Sequence, residues 1–152
     1  MFKVKNILLP TDFSNHSLSA AEYAKSLCTE HNAKLHLLHV LEKTPPILTI
    51  RSLDLSQEKI IKTIEDDANK SMKEAVSKIN LKNGLQLIPV IRKGIDFEEI
   101  ISYSEENKID LIVIATHGRT GILRTLLGSV AEKVIRFSKI PVLVITPTES
   151  QK

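Results

Sequence analysis

The sequence has few aromatic residues and almost no cysteine. Phenylalanine, tyrosine and tryptophan together make up 4% of its 152 residues, and tryptophan does not occur. So few rings offer little stacking surface for single-stranded nucleic acid. The single cysteine, Cys28, excludes an internal disulfide. Its position on the apolar side of a predicted helix favours a small buried hydrophobe over a reactive thiol.

Long apolar runs and long basic runs are also lacking. No stretch approaches the roughly 18 apolar residues of a membrane helix, and residues 1–6 contain no apolar signal core. We therefore expect a cytoplasmic protein that does not bind a membrane. The net charge of +3 comes from scattered lysines rather than from basic clusters that neutralise many phosphates, so we expect no nucleic-acid partner.

Three common signatures of nucleotide-binding or hydrolytic enzymes are missing. The chain contains no Gly-Lys-Ser or Gly-Lys-Thr, which the Walker A loop requires. The first predicted strand ends in Pro-Thr-Asp instead of the dinucleotide fingerprint Gly-x-Gly-x-x-Gly. A nucleophile elbow, Gly-x-Ser-x-Gly, is also missing, so a hydrolase triad has no starting point.

What the sequence does contain is an alternation of strand-like and helix-like segments. We predict strands at 5–9, 34–40, 85–91, 111–115 and 141–145, and helices at 17–30, 56–79, 96–107 and from 130 onwards. Such alternation implies a parallel sheet covered by helices on both faces. We expect one domain over residues 1–146 and a flexible tail over 147–152.

Several residues refine this pattern. Three pairs have the spacing of a capping box at a helix start: Ser19 and Glu22, Asp96 and Glu99, Ser129 and Glu132. In the last helix we expect Val130, Val134 and Phe137 to face the core. Pro89 predicts an edge strand, because proline cannot donate to a strand ladder. His36 and His39 lie three apart on one strand, so they point to opposite faces, cannot chelate one metal together and are interpreted as structural.

One loop stands out between the fourth strand and the last helix. It begins at Ala115, contains the run Thr116-His117-Gly118-Arg119-Thr120-Gly121, and closes with Gly128-Ser129. A strand, a glycine-bearing loop and a helix start form an anion site, because unpaired N–H groups and the helix dipole meet there. Each feature also has a simpler interpretation: the glycines permit a tight loop, Ser129 caps the helix, and His117 orders the loop.

The chain resembles the universal stress protein family, whose fold is grouped with the adenine nucleotide alpha hydrolases. Four segments carry the resemblance: Ile7 to Ser14, Leu37 to Val40, Asp110 to Val113 and Pro141 to Ile145. The loop adds Thr116 to Gly121 with Gly128-Ser129. The resemblance implies a three-layer α/β/α fold with a five-stranded parallel sheet in the order 3-2-1-4-5. It also implies that ATP, with or without Mg²⁺, is the ligand.

The resemblance assigns roles to individual residues. In ATP-binding members the loop reads Gly-x-x-Gly, nine residues, Gly-Ser/Thr, and here the first position is Ala115. Asp12 is expected near the ribose, Val40 is expected to offer its backbone to adenine, and the loop and the helix start are expected to hold the phosphates. The expected cofactor-binding residues are Pro10, Thr11, Asp12, Val40, Ala115, Thr116, His117, Gly118, Arg119, Gly121, Arg124, Gly128, Ser129 and Val130.

Two of these assignments leave alternatives open. An alanine at position 115 matters only if the backbone there needs a positive φ or must touch the ligand closely. Arg119 and Arg124 are included for their charge. The sequence is equally compatible with arginines that approach the phosphates and with arginines that are exposed to solvent and contact nothing.

The fifth strand predicts a homodimer. It ends the sheet in the implied order, so its apolar residues leave an unpaired edge. Pairing with the same strand of a second copy gives a two-fold dimer through Pro141, Val142, Leu143, Val144 and Ile145. The alternative is a monomer whose own tail covers the edge.

Three functional hypotheses follow from these observations. The first is an ATP-binding homodimer that works as a nucleotide-dependent switch or binding module in the stress response. The second is a nucleotide-independent protein-interaction or chaperone-like stress protein. The third is a slow ATPase or phosphotransferase. Dedicated catalysis is not indicated, because no base or nucleophile is placed for a γ-phosphate. The sequence does not identify a protein partner.

Overall fold

The computed structural model describes residues 1–43, 57–82, 84–116 and 127–146. The elements in this part of the chain are β1 (Asn6–Pro10), α1 (Asn15–Leu18), α2 (Ala21–His31), β2 (Lys34–Leu41), α3 (Gln57–Ile79), β3 (Leu87–Lys93), α4 (Asp96–Glu106), β4 (Leu111–Ala115), α5 (Ser129–Phe137) and β5 (Val142–Ile145). No helix among the described residues is long and apolar enough to cross a membrane.

The strands form one parallel sheet in the order β3-β2-β1-β4-β5. The predicted fold class and strand order are therefore confirmed. Ile7 pairs with Leu35 of β2 on one side and with Leu111 of β4 on the other. The strand order reverses at β1, and in such sheets ligands bind at the carboxyl ends of the strands beside this reversal.

Helices cover both faces of the sheet, so the three central strands, β1, β2 and β4, are buried on both sides. In β1, Ile7 and Leu9 pack in the cluster that includes α2 and α3, whereas Leu8 packs in the cluster that includes α4 and α5. All three side chains have no exposed surface. This two-sided burial explains why the strands read as short continuous apolar runs rather than as an alternation of apolar and polar residues.

The predicted helix at 17–30 is wrong at its start. The structure has two helices here, because the Ser19 hydroxyl donates to the His16 carbonyl oxygen (2.6 Å) and lies at the end of α1 rather than capping α2. Ser14 is the residue that caps α1, where its hydroxyl accepts from the Ser17 amide at 3.1 Å. Because the Ser19 hydroxyl bonds within α1, it does not form the predicted capping box with Glu22.

The other two predicted capping boxes are also wrong, because each predicted capping residue lies one position after the observed one. Asp96 and Ser129 are the first residues of α4 and α5, and the capping positions are Ile95 and Gly128. The predicted core face of α5 is corrected at Phe137, which is 54% exposed while Val134 is fully buried. Phe137 is the last residue of α5, and the centroid of its ring lies 5.8 Å from that of Phe97.

Three local predictions are confirmed. Pro89 lies on β3, which is an edge strand. Cys28 is fully buried, and this burial raises the pKa of its thiol to about 11, as expected for a packed residue. His36 and His39 both serve structural contacts and lie on opposite faces of β2, with His36 bonded to α4 and His39 bonded to the turn after β1.

His36 belongs to a buried polar group at the amino-terminal end of the sheet. Its Nδ1 lies 2.7 Å from the Tyr103 hydroxyl, and its Nε2 lies 3.4 Å from Oδ1 of Asn6. Burial, reinforced by the nearby charge of Lys34, lowers the pKa of His36 below its ordinary value. The neutral imidazole is therefore the form that the folded state prefers.

We expect this histidine to make the fold acid-sensitive. Because the unfolded chain binds the His36 proton more readily, the free energy of unfolding should fall as the pH drops below about 6.5, the ordinary pKa of histidine. Urea unfolding at pH 7.5 and pH 5.5 measures the loss. In His36→Phe the loss should be smaller than in wild type. An equal loss in wild type and His36→Phe would contradict the assignment.

Candidate functional site

A cavity of about 480 Å³ opens at the carboxyl ends of β1, β2 and β4, beside the reversal of strand order. The predicted binding residues that the structure describes all line it: Pro10, Thr11, Asp12, Val40, Ala115, Thr116, Gly128, Ser129 and Val130. His117, Gly118, Arg119, Gly121 and Arg124 lie outside the described residues. Residues from four separate parts of the chain thus meet at one place.

The turn after β1 forms one wall of the cavity. Its backbone is held by side chains: the Ser14 amide donates to Oδ1 of Asp12, and the Phe13 amide donates to the Thr11 hydroxyl, both at 2.9 Å. The Thr11 hydroxyl also lies 2.9 Å from that of Ser17. Phe13 has a φ of 67°, a left-handed conformation that costs about 1–2 kcal/mol in a non-glycine residue. Strain of this kind is concentrated at functional sites.

The end of β2 forms the adjoining wall and is tied to this turn. The Thr11 amide donates to the Leu38 carbonyl oxygen at 2.9 Å. His39 is buried, its Nδ1 lies 2.8 Å from the Thr11 carbonyl oxygen, and its ring lies 4.2 Å from the ring of Phe13. A carbonyl oxygen only accepts hydrogen bonds, so Nδ1 carries the proton in this contact.

The backbone of Val40 points toward the cavity. In a parallel strand the N–H and C=O groups of one residue point to the same side, and the side alternates along the chain. Lys34 donates to Lys5 on the β1 side and Leu38 accepts there, whereas the Leu41 carbonyl oxygen accepts from Gly94 on the β3 side. Val40 therefore presents its N–H and C=O on the β1 side, where β1 has already ended.

The start of α5 forms the opposite wall. The Gly128 amide donates to the Thr116 carbonyl oxygen at 2.6 Å, which brings the helix start back to the end of β4. The residue at the capping position is Gly128, so no side chain is available there for the unpaired N–H groups of the first turn. Ser129 is exposed and begins the helix. The positive end of the helix dipole thus lies at the cavity.

Ala115 has an ordinary strand conformation. It is the last residue of β4, pairs with Ile145 of β5, and is 7% exposed. The left-handed region that favours glycine is not used at this position. The backbone at Ala115 therefore does not require glycine. An alanine would matter here only if its methyl group contacted the ligand directly.

Sequence reasoning missed Ser17, His39 and two further groups of cavity residues. The first is an apolar floor that belongs to the core under α4 and α5, formed by Leu38, Ile100, Ile114 and Ala131. Leu38 is two residues from Val40, and the period of two in a strand was the signal that would have found it. The second group is Glu42 and Asp96, which follow β2 and β3 at the same edge of the sheet.

The described part of the cavity is acidic. Asp12, Glu42 and Asp96 line it, and neither lysine nor arginine does so among the described residues. Within those residues, no group of three or more histidine, cysteine, aspartate or glutamate side chains is placed to hold a metal ion. The carboxylates therefore make one side of the cavity negative, whereas the helix dipole makes the wall at the start of α5 positive.

Comparison with known proteins identifies relatives over nearly the whole chain. Residues 3–146 match the model of the universal stress protein family. Universal stress protein MJ0531 of Methanocaldococcus jannaschii is 35% identical over 141 residues, which cover 93% of this chain and 81% of the relative. Universal stress protein MJ0577 of the same organism is 36% identical, over 93% of this chain and 94% of the relative.

Solved structures agree with these relatives. The structure of MJ0577 superimposes with a TM-score of 0.80 at 31% identity and covers 96% of this chain and 98% of its own. A universal stress protein in complex with cAMP superimposes with a TM-score of 0.69 over 96% of this chain and 99% of its own. At 23% identity that second likeness shows a shared fold.

Proposed function

Because this chain belongs to the universal stress protein family, we propose that it binds an adenine nucleotide, with ATP as the favoured ligand, in the cavity beside β1 and β4. The observation that carries the proposal is the meeting of a backbone edge at Val40, a carboxylate at Asp12 and the start of α5 around one cavity. The protein acts as a single domain over residues 1–146 and as a nucleotide-dependent switch or binding module in the stress response.

The cavity suits a nucleotide in size and in the distribution of its polar groups. Small-molecule sites commonly enclose about 300–1,000 Å³, and the 480 Å³ of this cavity falls within that range. The floor of Leu38, Ile100 and Ile114 accommodates a flat base. The N–H and C=O of Val40 form a donor–acceptor pair, which complements the ring nitrogen and the amino group on one edge of adenine.

The two ends of the nucleotide meet different walls. The Asp12 carboxylate accepts a hydrogen bond from a ribose hydroxyl, and the amides of Ser129 and Val130 donate to phosphate oxygens at the start of α5. Mg²⁺, bound with ATP, reduces the repulsion between the phosphates and the carboxylates of the cavity. The universal stress protein that was solved in complex with cAMP has the same fold, and its ligand supports an adenine nucleotide as the ligand class.

The acidic wall supports one competing function. Three carboxylates without an accompanying cation among the described lining residues disfavour a polyphosphate. The competing hypothesis is therefore a nucleotide-independent binding module of the same family. The two hypotheses differ in whether ATP stabilises the folded state.

Thermal unfolding with and without Mg-ATP distinguishes them. At a free concentration of one hundred times Kd, a ligand that binds only the folded state adds about 2.7 kcal/mol, which raises the Tm by several degrees for a domain of this size. Mg-GTP is the matched control, because guanine reverses the donor and acceptor that face Val40 and should give a smaller shift. An unchanged Tm at millimolar Mg-ATP would favour the nucleotide-independent module.

Replacing Ala115 by glycine tests whether its methyl group obstructs the ligand. Because the backbone is already an ordinary strand, we expect the affinity for ATP to change about fourfold or less, the effect of one buried methyl group. The variant should lose about 0.5–1 kcal/mol of stability, since glycine is unfavourable in a strand. Isothermal titration measures the affinity. A gain of tenfold or more would show that the alanine blocks the site.

We also propose that the chain forms a homodimer through β5. This strand is an edge of the sheet, and its Leu143 is 37% exposed. Ile135 and Phe137 of α5, the helix that precedes β5, are 42% and 54% exposed. An apolar edge strand beside further exposed apolar side chains favours pairing with a second copy.

A further inference from the structure

We propose that His39 is a positioning residue that aligns Asp12 with the ribose of the bound nucleotide. This inference rests on the proposed function. His39 lies in β2, and its side chain contacts the residues on both sides of Asp12 in the turn after β1. A buried side chain of β2 therefore holds the turn that follows β1.

The hydrogen bond from His39 fixes the residue before Asp12. Nδ1 of His39 donates to the Thr11 carbonyl oxygen at 2.8 Å, and the Thr11 amide donates to the Leu38 carbonyl oxygen at 2.9 Å. Both peptide groups of Thr11 are therefore tied to β2. The peptide unit that leads into Asp12 has little freedom to rotate while these two contacts persist.

The ring of His39 fixes the residue after Asp12. It lies 4.2 Å from the ring of Phe13, with an angle of 32° between the two planes. Phe13 has the left-handed φ of 67°, which a bulky residue adopts only when its surroundings hold it there. The contact with His39 is one of the interactions that hold it. If Phe13 relaxed to a negative φ, the turn would open and the Asp12 carboxylate would move.

The position of His39 in the cavity links this geometry to the ligand. His39, Asp12 and Val40 all line the same space, so a shift in the turn changes the distance between the carboxylate and a nucleotide held by Val40. His39 is 8% exposed. It therefore acts through the turn and needs no contact of its own with the nucleotide.

The prediction concerns how strongly the protein distinguishes ATP from 2′,3′-dideoxy-ATP. In wild type, loss of the ribose hydroxyls should weaken binding by about tenfold to a hundredfold, the usual range for a hydrogen bond to a carboxylate. In His39→Phe, which keeps a ring but lacks the donor, the ratio of the two affinities should fall below about threefold. In His39→Asn, which keeps a donor near the position of Nδ1, most of the ratio should return.

Two further variants separate positioning from general loss of stability. His36→Phe removes the other buried histidine of β2, which bonds to α4 away from the cavity, and should leave the ratio as in wild type. Asp12→Ala, which removes the acceptor, should bring the ratio close to one, and His39→Phe added to it should have no further effect, because the two residues act on one contact.

Isothermal titration of both nucleotides against the folded variants at 20 °C decides the question. A ratio lost in His39→Phe, restored in His39→Asn and retained in His36→Phe supports the inference. A wild-type ratio retained in His39→Phe, or lost equally in His36→Phe, overturns it and leaves the proposed function intact. If wild type binds neither nucleotide at millimolar concentration, the proposed function fails, and the role of His39 fails with it.

Discussion

Replacing Ser129 by glutamate should weaken ATP binding by at least a hundredfold without destabilising the fold. Ser129 is exposed and begins α5, so the new carboxylate would lie where the phosphates are proposed to bind. Two unit charges of like sign about 4 Å apart repel by about 4 kcal/mol near a protein surface. A carboxylate at a helix start also stabilises the helix by about 0.3–1 kcal/mol.

The matched control is Ser129→Ala, which removes the hydroxyl without adding charge. It should weaken binding far less than glutamate does, because the proposed donors at this position include backbone amides. Isothermal titration gives the affinities, and thermal unfolding without nucleotide gives the stability. If Ser129→Glu bound ATP as well as wild type did, the phosphates would not lie at the start of α5.

Replacing Leu143 by lysine should convert the homodimer into a monomer. Leu143 lies on the outer strand and is 37% exposed, so a lysine should change the stability of the single chain by less than about 0.5 kcal/mol. In a dimer paired through β5 the same lysine would place two charges at the interface, one from each copy, and lysine on an edge strand prevents pairing. Val144 suits the test less well, because it packs against the core under α4 and α5.

Sedimentation velocity measures the oligomeric state of the variants. Ile61→Lys is the matched control, since Ile61 is 36% exposed and lies on α3, in the layer that packs against the opposite edge of the sheet. This variant should remain a dimer. A wild type that sediments as a monomer, or a Leu143→Lys variant that remains dimeric, would contradict the interface.

The core of the fold could be predicted because its central strands, β1, β2 and β4, are buried on both faces. Continuous apolar runs such as Leu111–Ala115 identify such strands, and the resemblance to universal stress proteins supplied their order. The helix starts could not be predicted to the residue. Ser14 and Ser19 both suit a capping position, and the choice depended on a hydrogen bond from Ser19 to His16 that only the folded turn reveals.

The candidate site could be predicted where its residues adjoin a strand end in the sequence. Asp12 is the second residue after β1, and Val40 lies near the end of β2. The acidic residues Glu42 and Asp96 were missed, because carboxylates at helix starts and after strands are common and acquire a shared cavity only through the parallel arrangement of β2 and β3. His39 was interpreted correctly as structural, but its contact with the turn before Asp12 depends on tertiary structure.

The most direct test of the proposed nucleotide site is a titration of ¹⁵N-labelled protein with Mg-ATP, followed through the backbone amide resonances. We expect saturable shifts at Thr11, Val40, Ser129 and Val130, and unchanged resonances at the opposite end of the sheet, near His36. Saturation that shifts only residues outside the cavity, or no shift at millimolar Mg-ATP, would exclude the proposed site.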